Sequence, residues 1–168
     1  MTPGTLVVHI ADRELTVEVA GGGMHLLSVG PLTLQSGPLA DGDPPPAAAL
    51  TNALGLVEDH LDDLIIEAPS IVATPGVIVS GAYAESMARV EIGRDSIPID
   101  YQLLRQDADE VFRTVAVEPT DQRRYNPGLP DDHVESIIAT CCVILGIMRR
   151  LDLQAVTVAT TATAGTSR

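Results

Sequence analysis

The sequence predicts an α/β domain in which helices pack on a mixed sheet that begins with a three-stranded antiparallel meander. Three observations carry that reading. Three β-rich runs follow one another near the start, with connections too short for anything but hairpins. Two long stretches repeat their apolar residues at helical spacing. A last β-branched run, Ala155 to Thr163, closes the sequence and is expected to join the sheet of the first strands.

The first runs are Leu6 to Ile10, Leu15 to Ala20 and Met24 to Leu34, joined by "ADRE" and "GGG". "SGPLADGDPPP", Ser36 to Pro46, then breaks regular structure. From Ala47 to Ala68, Leu50, Leu54, Val57, Leu61 and Leu64 recur at spacings of four and three, which predicts one buried helical stripe. Glu58, Asp59, Asp62 and Asp63 crowd the other sides as a solvated face. A metal role for that cluster with His60 would need converging ligands, and a helix surface spreads them outward.

"SIVATPGVIVSG", Ser70 to Gly81, reads as a buried strand in its first half, a Thr-Pro-Gly turn, a second apolar run, and then a helix through Glu91. Gly93 to Pro98 is turn-like, Ala108 to Val117 fits a short helix, and "EPTDQRRYNPGLPDD" is a turn-rich connection. Asp131 or Asp132 can cap the next helix, in which Val134, Ile137, Ile138, Cys141, Leu145, Met148 and Leu151 follow the helical repeat. This is expected to be the central core helix. Residues 164–168 read as a tail, and the 168 residues fit a single domain.

Composition excludes several function classes. Aromatic residues make up 2% of a chain that is 45% hydrophobic, so the core is aliphatic and base-stacking platforms are not expected. The formal charge is -13 and all ten basic residues are Arg, a balance that repels nucleic acid and anionic membrane surfaces unless arginines converge locally. Without Lys there is no Schiff base and no Walker lysine. Cys141 and Cys142 are adjacent within an apolar run and read as core residues rather than a disulfide. With no basic leader and no apolar run of about 18 residues, a cytoplasmic setting is expected.

Four stretches, in order, resemble the Ppx/GppA family of exopolyphosphatases and guanosine pentaphosphate phosphohydrolases. "LVVHIADRELTVEVA" resembles the family's strand-loop-strand "LVIDIGGGSTEIVLG", and "DPPPAAALTNALGLVEDHL" is similar to its "DPP" break and long helix. "IVATPGVIVSGAYAES" resembles its strand-loop-helix "VVGTSGTATTLAAL". "YNPGLPDDHVESIIATCCVILGIMRRLDLQAVTVAT" is similar to its "PGLPxxRADVILAGALIL", long helix and closing strand. The resemblance runs along nearly the whole sequence and implies the C-terminal half of an actin-like ATPase core, a ribonuclease H-like fold. The family's other half, with its own phosphate loop and the acidic residue thought to activate water, has no counterpart here.

Carried over residue by residue, the family's phosphate-loop Asp falls on His9, its three glycines on Ala11, Asp12 and Arg13, its Ser on Glu14 and its neighbouring Glu on Thr16. Glycines let backbone N–H groups approach phosphate oxygens. Asp12 and Glu14 would instead repel each phosphate by about 1 to 4 kcal/mol per pair. The second loop falls on Thr74 and Gly76, with Pro75 between them. The family's Arg-Ala-Asp falls on His133, Val134 and Glu135, and its helix glycine on Thr140. His133 as a catalytic base stands against a structural bond to Glu135 or to backbone.

The resemblance therefore implies a hydrolase frame without its hydrolytic site. In the family, phosphoanhydride hydrolysis takes place in a cleft between two domains with a divalent metal. The expectation is a domain inactive alone, with a binding or regulatory role, no catalytic residue and no metal ligand of its own, no certain cofactor, and Mg²⁺ only if it hydrolyses. Ala11, Asp12, Arg13, Thr74 and Gly76 are the candidate phosphate or ligand contacts. The alternative is half of a working phosphatase completed by another chain or segment; a third reading is an interaction domain that uses the frame as scaffold. The side formed by the first hairpin turn and the Thr74 to Gly76 turn would face the missing domain, which implies a homodimer or a partner protein.

Overall fold

A computed structural model describes residues 4–160. The hydrophobic pattern of the first runs settles their pairing. In β1 (Thr5–Ile10), Leu6, Val8 and Ile10 alternate to the buried side, and in β2 (Leu15–Val19) Leu15 and Val17 do the same. The two pair antiparallel with Ile10 opposite Leu15 and Leu6 opposite Val19, so both apolar sets share one face. β3 (Gly23–Leu27) pairs antiparallel with β2 at the sheet's edge, which completes the predicted meander.

The third run ends at Leu27 rather than Leu34. Pro31 starts the short helix α1 (Pro31–Ser36), where its fixed φ and missing N–H fit the first helical position, and Leu34 is buried in that helix. After a loop with a cis peptide between Asp43 and Pro44 comes α2 (Ala47–Glu67). Its buried stripe is Ala49, Ala53, Val57, Leu61 and Leu64; Leu50 and Leu54 are only half-buried. The small alanines take the inner positions in the first half of the helix, which packs against α6 (Ile137–Arg150).

The "SIVATPGVIVS" segment departs from expectation. Pro69–Ala73 forms a 3-10 turn in which Ile71 is buried and Val72 is 53% exposed, so Val72 is in no strand. The strand is the second half, β4 (Gly76–Ser80), with Val77 and Val79 buried. Prolines at 69 and 75 flank the first run and restrict it, whereas the second run has free backbone donors for the ladder. β4 lies parallel to β1, with Gly76 opposite Thr5 and Ser80 opposite His9.

Helix α3 (Ala82–Ile92) follows directly. A strand not expected from the sequence, β5 (Tyr101–Leu104), leads into α4 (Arg105–Ala116), and a one-turn helix α5 (Thr120–Arg123) sits inside the turn-rich connection. Asp131–His133 form a separate 3-10 turn, and α6 begins at Ile137 rather than at the aspartates. As predicted, α6 is the central helix: every residue from Ile137 to Met148 is buried, and α1, α2, α3 and α4 all pack on it.

The last strand, β6 (Ala155–Val158), pairs parallel with β4 and antiparallel with β5. The sheet order is β3-β2-β1-β4-β6-β5, with Val156 in the same sheet as the meander. Thr161 to Thr163 and the tail lie outside the described residues. One sheet face carries the buried side chains of the strands, with Val19 and His25 half-buried near its edge, while the other carries half-buried or exposed side chains such as Val7, His9, Glu18 and Thr157. No helix among the described residues is long and apolar enough to cross a membrane.

Candidate functional site

The parallel strands β1, β4 and β6 end on one side of the sheet, and ligands of open α/β sheets bind outside such carboxyl ends. Two turns meet there. The first is Ala11 to Glu14, between β1 and β2; the second is Ser80-Gly81, between β4 and α3. Thr74 and Gly76 lie at the opposite end of the sheet, because Gly76 pairs with Thr5 at the start of β1. The structure therefore does not bring them to Ala11, Asp12 and Arg13, and the expected face built from both turns does not form. Thr74 serves the strand entry instead: its hydroxyl donates to the Gly4 carbonyl, and lies 3.1 Å from the Gly76 carbonyl oxygen.

The Ala11 to Glu14 turn is closed by its own backbone. The Ala11 N–H donates to the Glu14 carbonyl at 3.0 Å, and the Asp12 carbonyl accepts from the Leu32 N–H of α1 at 2.8 Å. Gly30 fills the space behind it, where an added Cβ would lie 2.6 Å from the Asp12 oxygen and 2.7 Å from the Glu14 nitrogen. The Arg13 guanidinium reaches Ser36 Oγ at 3.3 Å, and the Thr33 hydroxyl donates to the Arg13 carbonyl. α1 thus packs against the turn from one side.

Tyr83 from α3 packs from the other, and its hydroxyl donates to Asp12 Oδ1 at 2.6 Å. Burial first, and then that bond and the Asp12 and Asp132 charges, push the Tyr83 hydroxyl up to about 12. The Tyr83 ring stacks on His133 with centroids 4.7 Å apart and an interplanar angle of 11°. His133 Nδ1 in turn bonds the buried Ser86 Oγ, which also donates to the Ala82 carbonyl. The His133 imidazole is therefore held by Ser86 and Tyr83, rather than by a bond to Glu135 or to a backbone group. A chain Asp12–Tyr83–His133–Ser86 ties the first turn to α3 and to the entry of α6.

Gly81 lets the second turn approach. Its φ of 107° with ψ of 167° suits a residue without Cβ, and a Cβ there would sit 2.7 Å from the Ile10 carbonyl oxygen. Beside it, His9 Nδ1 and Ser80 Oγ are 3.1 Å apart. Ser80, Gly81, Tyr83 and Ser86 were not singled out from the sequence. The available signal was the order "GVIVS", Gly81, helix, an apolar run ending at a glycine that opens a helix.

The groove over these turns is lined by Asp12, Arg13, Glu14 and Tyr83 with His9 and Ala82 among their neighbours, and among the described residues none of the large exposed hydrophobic side chains lies in it. Its face is polar. Its carboxylates are Asp12 and Glu14, Arg13 stands between them, and Asp12 Oδ1 already accepts the Tyr83 hydroxyl. Two carboxylates are the most this groove offers a magnesium ion, whose octahedron would then be completed by waters or substrate phosphate oxygens. Among the described residues no group of three or more His, Cys, Asp or Glu can hold a metal ion. In the α2 acidic face Asp62 pairs with Arg150, and Cys141 and Cys142 are buried free thiols, both pushed up by burial.

No protein-family model and no curated protein matches the sequence. Solved structures do match the fold. An exopolyphosphatase-like protein superposes with a TM-score of 0.81 at 16% identity, over 94% of this chain and 56% of its own. The Aquifex aeolicus Ppx/GppA enzyme gives 0.79 at 15% identity over 92% and 52%. An exopolyphosphatase from Cytophaga hutchinsonii gives 0.70 at 14% identity over 93% and 53%. The chain spans little more than half the length of these proteins. Its mixed sheet, opening meander and packed helices are the fold of half of a Ppx/GppA exopolyphosphatase-like protein.

Proposed function

We propose that this chain is a Ppx/GppA exopolyphosphatase-like domain that does not hydrolyse phosphoanhydrides by itself and acts by binding or regulation. The observation that supports the reading is the closed, acidic turn at the end of β1. Where a phosphate loop would present backbone N–H groups, Ala11 bonds Glu14, Gly30 occupies the rear, and Asp12 carries its charge on the groove side against Tyr83. The groove's one arginine, Arg13, is turned toward Ser36. With a formal charge of -13 the surface disfavours nucleic acid, so the expected partner is a protein: a second copy or a chain carrying the missing half. A cytoplasmic setting belongs to the same proposal, in keeping with two free thiols.

A second reading is favoured by one observation, the coverage of little more than half of each structural neighbour. In that reading the chain is one half of a working exopolyphosphatase or guanosine pentaphosphate phosphohydrolase, completed by another chain or segment that brings the Mg²⁺ ligands. Polyphosphate and guanosine pentaphosphate hydrolysis with Mg²⁺, run beside an active family member, separates the two. The first reading expects no phosphate release above background. Release that vanishes in Glu14→Ala would show that the acid works as a base and would overturn it. Light scattering after size exclusion tests the association: a dimer or a recovered partner is expected, and a strict monomer at high micromolar concentration with no partner recovered counts against the binding role.

A further inference from the structure

The two edges of the sheet are built differently. β5, at one end, is short and bracketed by charge: Asp100 precedes it with a φ of 56°, Arg105 follows it, and Pro98 stands just before. Charge and proline are common means of keeping an edge strand from pairing with another chain. β3, at the other end, has neither. From Val19 to Ala40 the sequence holds no Asp, Glu, Lys or Arg, its longest such stretch, although the formal charge is -13.

β3 also leaves apolar side chains in solvent. It pairs on one side only, with Met24 opposite Glu18 and Leu26 opposite Thr16 of β2. Met24 is 67% exposed and Leu26 61%, and both stand on the sheet face that carries Glu18. Alternate residues of an antiparallel edge turn their backbone N–H and C=O groups outward. Among the described residues, no backbone hydrogen bond outside the β2 pairing reaches Gly23–Leu27.

We propose that two copies of this chain pair antiparallel through β3, about a two-fold axis at His25, into one continuous sheet. The proposal rests on the binding reading above and names the partner as a second copy. A two-fold interface must be self-complementary, and this edge is. With His25 opposite its counterpart, Met24 of each copy faces Leu26 of the other, so four apolar side chains meet on one face. The charges agree with that register. Glu18 is the one charged residue of β2, and its two copies lie three strand spacings apart, about 14 Å, beyond the screening length of about 8 Å at physiological salt. A basic or acidic partner finds no carboxylate or arginine on β3 to pair with, whereas a second copy brings the same edge. Pairing uses up the bare edge of each copy and leaves β5 outermost at both ends, so the assembly stops at two.

Sedimentation equilibrium and amide hydrogen exchange test this together. A single short strand is a small interface, so a Kd of about 10 to 100 µM is expected. Raising the salt should tighten it, because screening relieves the repulsion between two acidic chains. Between about 5 µM and about 500 µM protein, alternate amides of Gly23–Leu27 should gain protection while those of Tyr101–Leu104 gain none. Leu26→Glu, at an exposed position, should weaken the dimer at least about tenfold with an unchanged circular dichroism spectrum. Adding Met24→Arg to the same chain sets opposite charges face to face across the axis and should restore most of that loss. Ile99→Glu adds the same charge at an exposed apolar position before β5 and should leave the Kd within about twofold. A dimer whose β3 amides stay unprotected, an equal loss in Ile99→Glu, or no recovery in the double variant would overturn pairing through β3 and leave the binding reading in place. A strict monomer at about 500 µM overturns it as well, and with no partner recovered the binding reading falls too.

Discussion

Replacing Gly81 with alanine tests the geometry of the site more sharply than any change to its charged residues. The backbone there has φ 107° and ψ 167°, a region closed to most residues with a Cβ at a cost of about 1 to 3 kcal/mol. The new methyl would also lie 2.7 Å from the Ile10 carbonyl oxygen and 3.2 Å from His9 Cε1. Ile10 cannot retreat freely, because β1 is held in register on both sides, by β2 through Ile10 and Leu15 and by β4 through His9 and Ser80. Overpacking of that kind adds about 1 to 3 kcal/mol. The total is roughly 2 to 6 kcal/mol, a fall in Tm of roughly 5 to 20 °C for a protein of this size.

The control is Gly76→Ala. Gly76 has no atom within 4 Å of its would-be Cβ and no positive φ, so alanine there is expected to be neutral or to stabilise by up to about 0.5 to 1 kcal/mol. Urea unfolding followed by circular dichroism reads both variants. The reasoning fails if Gly81→Ala falls within about 0.5 kcal/mol of the parent, or if Gly76→Ala is the more damaging change. Either result would mean that the turn against Ala11 to Glu14 is not Ser80-Gly81.

Tyr83 gives a pH signature: its hydroxyl ionises at 10.0 in the unfolded chain and about 12 in the fold, so the stability it supplies is intact below pH 10.0 and is lost as pH rises toward about 12. Tyr83→Phe should flatten that loss, worth up to about 2.7 kcal/mol before solvent screening, and an unchanged alkaline limb in the variant would contradict the assignment. Cys141 and Cys142, both 0% exposed, should resist Ellman's reagent in the native protein and react fully in urea; fast native labelling of either would refute the burial of α6. Arg123→Ala leaves the Val134 and Glu118 carbonyls without their donor and should cost about 2 to 4 kcal/mol in urea unfolding, with Arg123→Lys recovering little because lysine lacks the planar fork. A loss under about 0.5 kcal/mol in Arg123→Ala would show that those carbonyls reach water.

Elements with a strong period and free backbone donors were legible in the sequence. Leu6, Val8 and Ile10 alternate cleanly, and Val134 through Leu151 keeps the helical repeat, so the meander and the central helix were both placed. Weakly patterned segments were not. β5 buries only Leu103 of its four residues, too little alternation to register as a strand. Pro69–Ala73 looked like a strand through Ile71 and Val72, yet two flanking prolines and an outward Val72 leave it a 3-10 turn.

That single shift moved the second turn of the site from Thr74–Gly76 to Ser80-Gly81, at the other end of β4. The Ala11 to Glu14 turn was visible as a change of chemistry, since acids stand where glycines would serve a phosphate. The contacts that fix it were not visible: Tyr83, His133 and Ser86 come from segments 47 or more residues away from one of their partners and meet only through the fold. The fold itself was recognisable from the order of loose motifs, and solved structures at 14% to 16% identity match it over more than nine-tenths of the chain.

The central claim is that the turn at the end of β1 offers no cradle for phosphate, and short-chain polyphosphate titrated into the isotope-labelled chain tests it directly. With Mg²⁺ present, the backbone amide resonances of Asp12, Arg13 and Glu14 are expected to stay in place up to millimolar polyphosphate, because the turn is closed by Ala11 and Glu14 and carries two carboxylates. Saturable shifts at those three amides, lost on raising the salt, would show a working phosphate loop and contradict the account.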